Sequence, residues 1–337
     1  MTILYFILIL GITITIHEFG HFYCAKKTGV YIYEFSIGMG PVIFKKIKNE
    51  TTYSLRLFPI GGYVSMAGET VDNDQNIPDD RKLSNKKWSQ RFIVMVAGVI
   101  MNFILAIVIF TIVGLINGVP TNNVYIDKID SSITSNNLKP GDHIIKINDK
   151  KIKNIDFLML DIQILSGENI TLETKNKKIL LKPKEIIKDD KISYTYGFSV
   201  KTGKEYGIIE SIKYGFTKTY NIIIQMFYTL YYLVIGKLSI DNLAGPVGIF
   251  NLVNETAKYG FLNIIYLMAF FSVNVGVLNI LPLPAFDGGR ILFLIIEKIK
   301  GSKVNPDVEN MIHFIGMSLI LLFMVFITCK DVATLLT

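Results

Sequence analysis

Read for apolar and polar positions, the chain alternates between long unbroken apolar runs and stretches where charge returns every few residues. Four runs approach or exceed the ~20 residues a helix needs to cross about 30 Å of hydrocarbon. They are roughly Thr2 to Tyr23, Phe92 to Ile116, Phe261 to Leu281 and Met311 to Thr328. They predict four membrane-spanning helices. A fifth run, Ile222 to Ile235, is rich in tyrosine and only ~14 residues long, which suits an interfacial helix better than a span. The third run ends at Pro282 and Pro284, which do not continue a helix.

Two other stretches carry a strand-like pattern. Residues 30 to 66, "VYIYEFSIGMGPVIFKK" and "TTYSLRLFPIGGYVSM" among them, read as strands broken by glycine. They are apolar for exposed loops, and non-helical backbone at a membrane must be buried in protein or line a wet cavity. A sheet dipping into the membrane beside the first helix meets that condition. Asp72 to Asp80 is a polar connector. From Asn123 to about Lys184, short apolar strands alternate with turn signals. There "LKPGDHIIKINDKKI" (Leu138 to Ile152) reads as a turn, a strand from Ile144 to Ile147 and an Asn-Asp turn.

The predicted order is therefore a first span (1–29), a membrane-reentrant β region (30–66), a connector (67–91) and a second span (92–117). A β-rich domain (118–203) and an interfacial helical segment (204–260) follow. A third span with its closing loop (261–290), a short segment (291–310) and a fourth span (311–330) complete it.

Composition agrees with a membrane protein. Half of the 337 residues are hydrophobic and the mean hydropathy is +0.41, too apolar for an ordinary soluble domain. The net charge of +7 is mostly lysine. Lys26, Lys27, Lys45, Lys46 and Lys48 follow the first span, Arg81, Lys82, Lys86, Lys87 and Arg91 precede the second, and Arg290, Lys298, Lys300 and Lys303 separate the third from the fourth. The positive-inside rule makes these loops cytoplasmic, leaving 118–260 and both termini outside. No lysine run is interleaved with aromatics in a nucleic-acid pattern, so no nucleic-acid partner is expected. Cys24 and Cys329 fall on opposite faces in this topology and should not pair. The first run lacks a basic leader and a small-residue cleavage site, and reads as a retained helix.

The first span contains "ITITIHEFGH", residues 12 to 21. Ionisable groups are costly in hydrocarbon and mark function. His17 and His21, four apart, share one helix face about 6 Å apart along the axis. This is the HExxH pattern: two imidazoles for zinc, and Glu18 placed to activate a water. A catalytic zinc takes three protein ligands and keeps one position open. His143 lies in the outer domain, on the wrong side. His313 opens the fourth span and is a possible third ligand. The better candidate is Asp287 in "NILPLPAFDGGR" (Asn279 to Arg290), because the prolines break the helix at matching depth and Gly288 and Gly289 permit a sharp turn. The competing reading makes Asp287 an N-cap. Cys24 lies one turn beyond His21 and is better read as small-hydrophobe packing than as a ligand.

HExxH in the first span and Asn-x-x-Pro-x-Pro-x-x-Asp-Gly-Gly closing the third resemble the site-2 protease family of intramembrane zinc metalloproteases. The layout is similar to the bacterial regulated-intramembrane-proteolysis branch with a single PDZ domain. The resemblance implies that His17, His21 and Asp287 hold Zn²⁺ and that Glu18 is the catalytic base. It implies an intramembrane β-hairpin, fitting 30–66. Gly38 and Gly40 of "GMG" resemble the family's glycine loop beside the active site, and Asn279 matches an asparagine that positions unwound substrate. "LAGPVGIF" (Leu243 to Phe250) matches a segment before the third span. Leu138 to Ile152 resembles a PDZ core, although no glycine-flanked carboxylate-binding loop is evident. Relatives often carry proline where "AGVIMNF" has Val99, which points to a straighter second helix; Asn102 is kept.

The expected molecule is a four-span bacterial plasma-membrane metalloprotease in contact with lipid. Its active site lies toward the cytoplasm, its PDZ-like domain outside, and its partners are transmembrane proteins or peptides such as pre-cleaved anti-sigma factors or signal-peptide remnants. A non-catalytic PDZ scaffold would not need the two intramembrane motifs. A metal transporter would want polar groups through both leaflets, and they occur only in the cytoplasmic half.

Overall fold

Backbone groups in hydrocarbon must bond within their own segment, so the apolar runs become helices. The computed structural model describes residues 1–69, 76–130, 138–175, 177–188, 191–238 and 243–336. Among these, four helices are long and apolar enough to cross a membrane. They are α1 (Thr2–Lys27), α2 (Trp88–Asn117), α6 (Phe261–Ile280) and α8 (Pro306–Leu336). α2 runs unbroken through Val99, as proline's absence allows. The chain divides into two compact units, one of Met1–Phe110 with Ala244–Val332, the other of Thr111–Leu243 with Ala333–Thr337. The polar connector expected over 72–80 lies partly outside the described residues.

In the first unit, α1 leads into two long antiparallel strands, β1 (Ile32–Lys48) and β2 (Thr51–Met66). Their turn, Asn49–Glu50, has φ of 48° and 68°, the positive pair of a type I′ hairpin. The register is folded back on itself. Phe35, Ser36 and Ile37 pair with Val64, Tyr63 and Gly62, and also with Tyr53, Ser54 and Leu55. Bends at Gly38, Gly40 and Gly61, all at positive φ, let two strands form this broader sheet. The stretch 42–47 leaves Ile43, Phe44 and Ile47 more than 60 % exposed, a surface suited to an apolar surrounding. β2 packs along α1: a Cβ on Gly11 would meet the Pro59 carbonyl oxygen at 2.7 Å.

α5 (Pro246–Ala257) and α7 (Asp287–Lys300) complete this unit. The Trp88 indole N–H donates to the Leu294 carbonyl at 2.7 Å, and Arg91 binds both Glu297 oxygens at 2.8 Å. These contacts join the start of α2 to α7. Buried Ala25, Ile32, Phe35, Val64, Val94 and Leu294 form a shared apolar core.

In the second unit an antiparallel sheet runs β10 (Phe198–Glu205), β3 (Val119–Ile129), β4 (His143–Ile147), β6 (Ile170–Thr174), β7 (Lys178–Leu181), with β5 (Lys150–Lys151) paired to β4. β8 (Lys184–Lys188) and β9 (Lys191–Thr195) form a separate hairpin. The expected Asn148–Asp149 turn follows β4, with φ of 44° and 64°. α3 (Ile155–Ile164) is capped by the Asn154 side chain, which accepts the Phe157 N–H at 3.1 Å. α4 (Ile208–Val234) is longer than the apolar run suggested and is not among the membrane-length apolar helices. Its buried Lys218 reaches Asp156 of α3 at 2.6 Å, a tertiary pairing invisible to hydropathy.

Candidate active site

The i, i+4 spacing on α1 puts His17 and His21 on one face, each 6 % exposed. Their Nε2 atoms lie 3.1 Å apart. Asp287 arrives from the other end of the chain, at the first residue of α7, with Oδ2 at 3.0 Å from His17 Nε2 and 3.2 Å from His21 Nε2. Its approach depends on a compressed turn after α6. A Cβ on Gly288 would fall 2.0 Å from the Leu281 carbonyl oxygen, and one on Gly289 2.6 Å from that of Leu283. Only glycine lets the end of α6 fold over the start of α7.

The three donor atoms mark a nearly equilateral triangle. An ion about 2.0–2.1 Å from tetrahedral ligands has them about 3.3–3.4 Å apart, so the cluster matches three corners of a four-coordinate site. The proton inventory fits as well. The Val94 carbonyl oxygen lies 2.8 Å from His21 Nδ1 and can only accept, so Nδ1 carries the proton and Nε2 presents a lone pair to the centre. The Asn102 carboxamide lies 3.3 Å from His17 Nδ1. With its carbonyl end turned to that nitrogen, it frees His17 Nε2 in the same way. Asp287 Oδ2 is buried and has no hydrogen bond despite its proximity to both imidazoles. Three lone pairs converging in a buried space repel one another unless a cation lies between them. Among the described residues this is the one group of three or more His, Cys, Asp or Glu side chains close enough together to hold a metal ion.

Glycines set the floor and walls. A Cβ on Gly98 of α2 would lie 2.4 Å from His21 Nε2 and 2.8 Å from His17 Nε2. One on Gly20 would lie 2.4 Å from the Ala97 carbonyl oxygen. α1 and α2 thus touch through two glycines, directly beneath the imidazoles. Gly62 of β2 faces Glu18, its Cβ position 3.7 Å from Glu18 Cγ, so the sheet passes beside that carboxylate. Neither Gly98 nor Gly62 stands out in the sequence as a site residue. A glycine in mid-span was the available signal for the first.

The other candidates fall elsewhere. Gly38 and Gly40 pack on Phe58, with Cβ positions 2.6 Å from its carbonyl oxygen and 2.7 Å from its ring; Gly38 directly follows Ile37, the partner of Gly62. Asn279 is partly buried near the end of α6. His143 lies in the second unit, its ring 5.1 Å from that of Tyr125. His313 accepts the Ala285 N–H at Nδ1, 3.0 Å away, and Cys24 stands outside the cluster. Arg290, one turn past Asp287, pairs with Glu69.

Four membrane-length helices, together with a buried meeting of two histidines and an aspartate, fit the class of intramembrane zinc metalloproteases. Comparison with known proteins agrees. The model of peptidase family M50 matches residues 5–323, and the chain belongs to that family. It is 38 % identical over 330 residues to a Clostridium acetobutylicum protein provisionally named as a zinc metalloprotease, covering 97 % of this chain and 96 % of the relative. It is 31 % identical to the regulator of sigma-W protease RasP of Bacillus subtilis and 32 % to the zinc metalloprotease RasP of Bacillus licheniformis, covering 99 % of each chain. The alignment to the Bacillus subtilis protein runs over 421 positions against 337 residues here, so that relative carries additional residues.

Proposed function

We propose that His17, His21 and Asp287 hold one Zn²⁺ and that Glu18 is the proton acceptor and donor for hydrolysis of a peptide bond in a transmembrane substrate. The convergence of three donor atoms within 3.2 Å of one another carries this reading. When bound, zinc polarises the scissile carbonyl and brings the pKa of a water to about 7. The residues of the chain do the rest. Val94 and Asn102 orient the two imidazoles. Glu18, between them in sequence and facing the sheet at Gly62, takes the water's proton and returns it to the leaving amine.

A substrate helix hides its peptide bonds and must unwind before attack. An edge of the 32–66 sheet beside Glu18 suits an extended segment by strand addition, with Gly38 and Gly40 giving the loop its bend. Asn279, near the end of α6, supplies hydrogen bonds to freed substrate backbone. The lysine-rich loops put the site toward the cytoplasm of a bacterial plasma membrane. They leave residues 118–203, as a PDZ-like domain outside, to admit only substrates already trimmed there. Trimmed anti-sigma factors and signal-peptide remnants fit such a filter, and the sigma-W name of one relative supports the former.

The test is co-reconstitution of the full chain with a trimmed single-span substrate. Glu18→Gln should keep zinc and lose about 10³-fold or more in cleavage rate. Undiminished cleavage by the zinc-loaded variant would refute the assignment.

A further inference from the structure

We infer that His313 is a positioning residue for the metal centre: its Nδ1 holds the Ala285 N–H and so keeps the loop after α6 in the conformation that presents Asp287 to the histidines. The inference rests on the proposed ligand role of Asp287.

Ala285 is where the backbone is unusual. Among the described residues, five other than glycine have positive φ. Asn49 with Glu50, and Asn148 with Asp149, sit in hairpin turns whose geometry requires it. Ala285, at φ of 80°, lies in no hairpin. It has a Cβ that disfavours this region and no side-chain oxygen to offset it. Such a conformation persists only where surroundings over-determine it.

α8 supplies those surroundings. His313 and Gly316, three apart, share a helix face. At Gly316 the helix presses on the loop, since a Cβ there would lie 2.2 Å from Pro284 Cβ. One turn away His313 accepts the Ala285 N–H at 3.0 Å. The imidazole also limits the next turn: a Cβ on Gly289 would come within 3.1 Å of His313 Cε1. The Phe293 ring, 5.7 Å away, packs against it. With Nδ1 committed to Ala285, His313 is not a metal ligand but stands behind one. Removing the acceptor lets Ala285 relax toward negative φ. Two residues on, Asp287 then swings away from imidazoles fixed in α1.

The experiment measures Zn²⁺ affinity of the purified full chain in detergent, by competition with a chromophoric chelator, alongside the visible spectrum of the Co²⁺-substituted protein. His313→Gln and His313→Ala should each bind Zn²⁺ about tenfold or more weakly and lose the intensity of the tetrahedral Co²⁺ bands. His313→Asn, whose carboxamide oxygen falls near the Nδ1 position, should stay within about threefold of the wild type. Adding Ala285→Gly to His313→Ala should recover much of the loss, because glycine adopts positive φ without strain. Wild-type affinity in His313→Gln, equal losses in the Asn and Gln variants, or no recovery with Ala285→Gly would overturn the inference. An Asp287→Ala control distinguishes the two levels. If it binds as tightly as wild type, the ligand assignment falls and this inference with it; if it alone loses affinity, only the role of His313 falls.

Discussion

Gly98 has no side chain, and the space a methyl would take is the space of the imidazole nitrogens. Gly98→Ala should therefore weaken zinc binding by about 100-fold while leaving α2 intact, since alanine is the better helix former. Metal analysis of the purified variant, set beside its helix content, checks this. The histidines and Glu18 were legible at this scale because i, i+4 is a local relation that survives any tertiary arrangement. Asp287 was legible only as the carboxylate of a broken helix. Gly98, Gly62 and Val94 were not, because their roles exist only once α1, α2 and the sheet have met. His313, a possible third ligand from its place in the sequence, commits its Nδ1 to the backbone of Ala285 in the structure.

Elements show how breaks in regular structure are used. The α6–α7 turn stacks two prolines, a left-handed alanine and two buried glycines in eight residues to aim one carboxylate. At the far end of α8, the buried Asp331 accepts the N–H groups of Gly245 and Gly248 at 2.9 and 2.8 Å, capping α5 from outside its own sequence. Asp331→Ala leaves both donors unmatched and should cost about 2–4 kcal/mol, read as a lowered unfolding midpoint in mixed micelles; an unchanged midpoint would remove Asp331 from the account. The strands of 32–66 were legible as alternating, glycine-broken runs. Their doubled pairing was not, because nothing local says that Phe35 bonds strands on both sides. The ~14-residue apolar run falls short of α4 because Lys213 and Lys218 interrupt the apolar pattern and the Asp156 partner of Lys218 lies far away in sequence.

For the whole molecule, four spans and a lysine bias make an orientation that can be checked directly. Single-cysteine reporters placed at Lys27 and Lys48 should resist an impermeant thiol reagent applied from outside intact cells, and one at Lys150 should react; the reverse pattern would invert the topology. If residues 118–203 lie outside and filter substrates, a single-span substrate should be cleaved faster after its outer domain is removed, and equal rates for both forms would dismiss the filter. The membrane class was plain in the sequence because hydropathy is additive over a segment, whereas the meeting of the two motifs is a property of the folded chain alone. Zinc K-edge absorption of the purified protein tests that meeting most directly. One zinc per chain is expected, with four nitrogen and oxygen neighbours at about 2.0 Å, and disruption of that shell in Asp287→Ala. Zinc held in an unchanged shell after that substitution, or no bound zinc in the wild type, would contradict it.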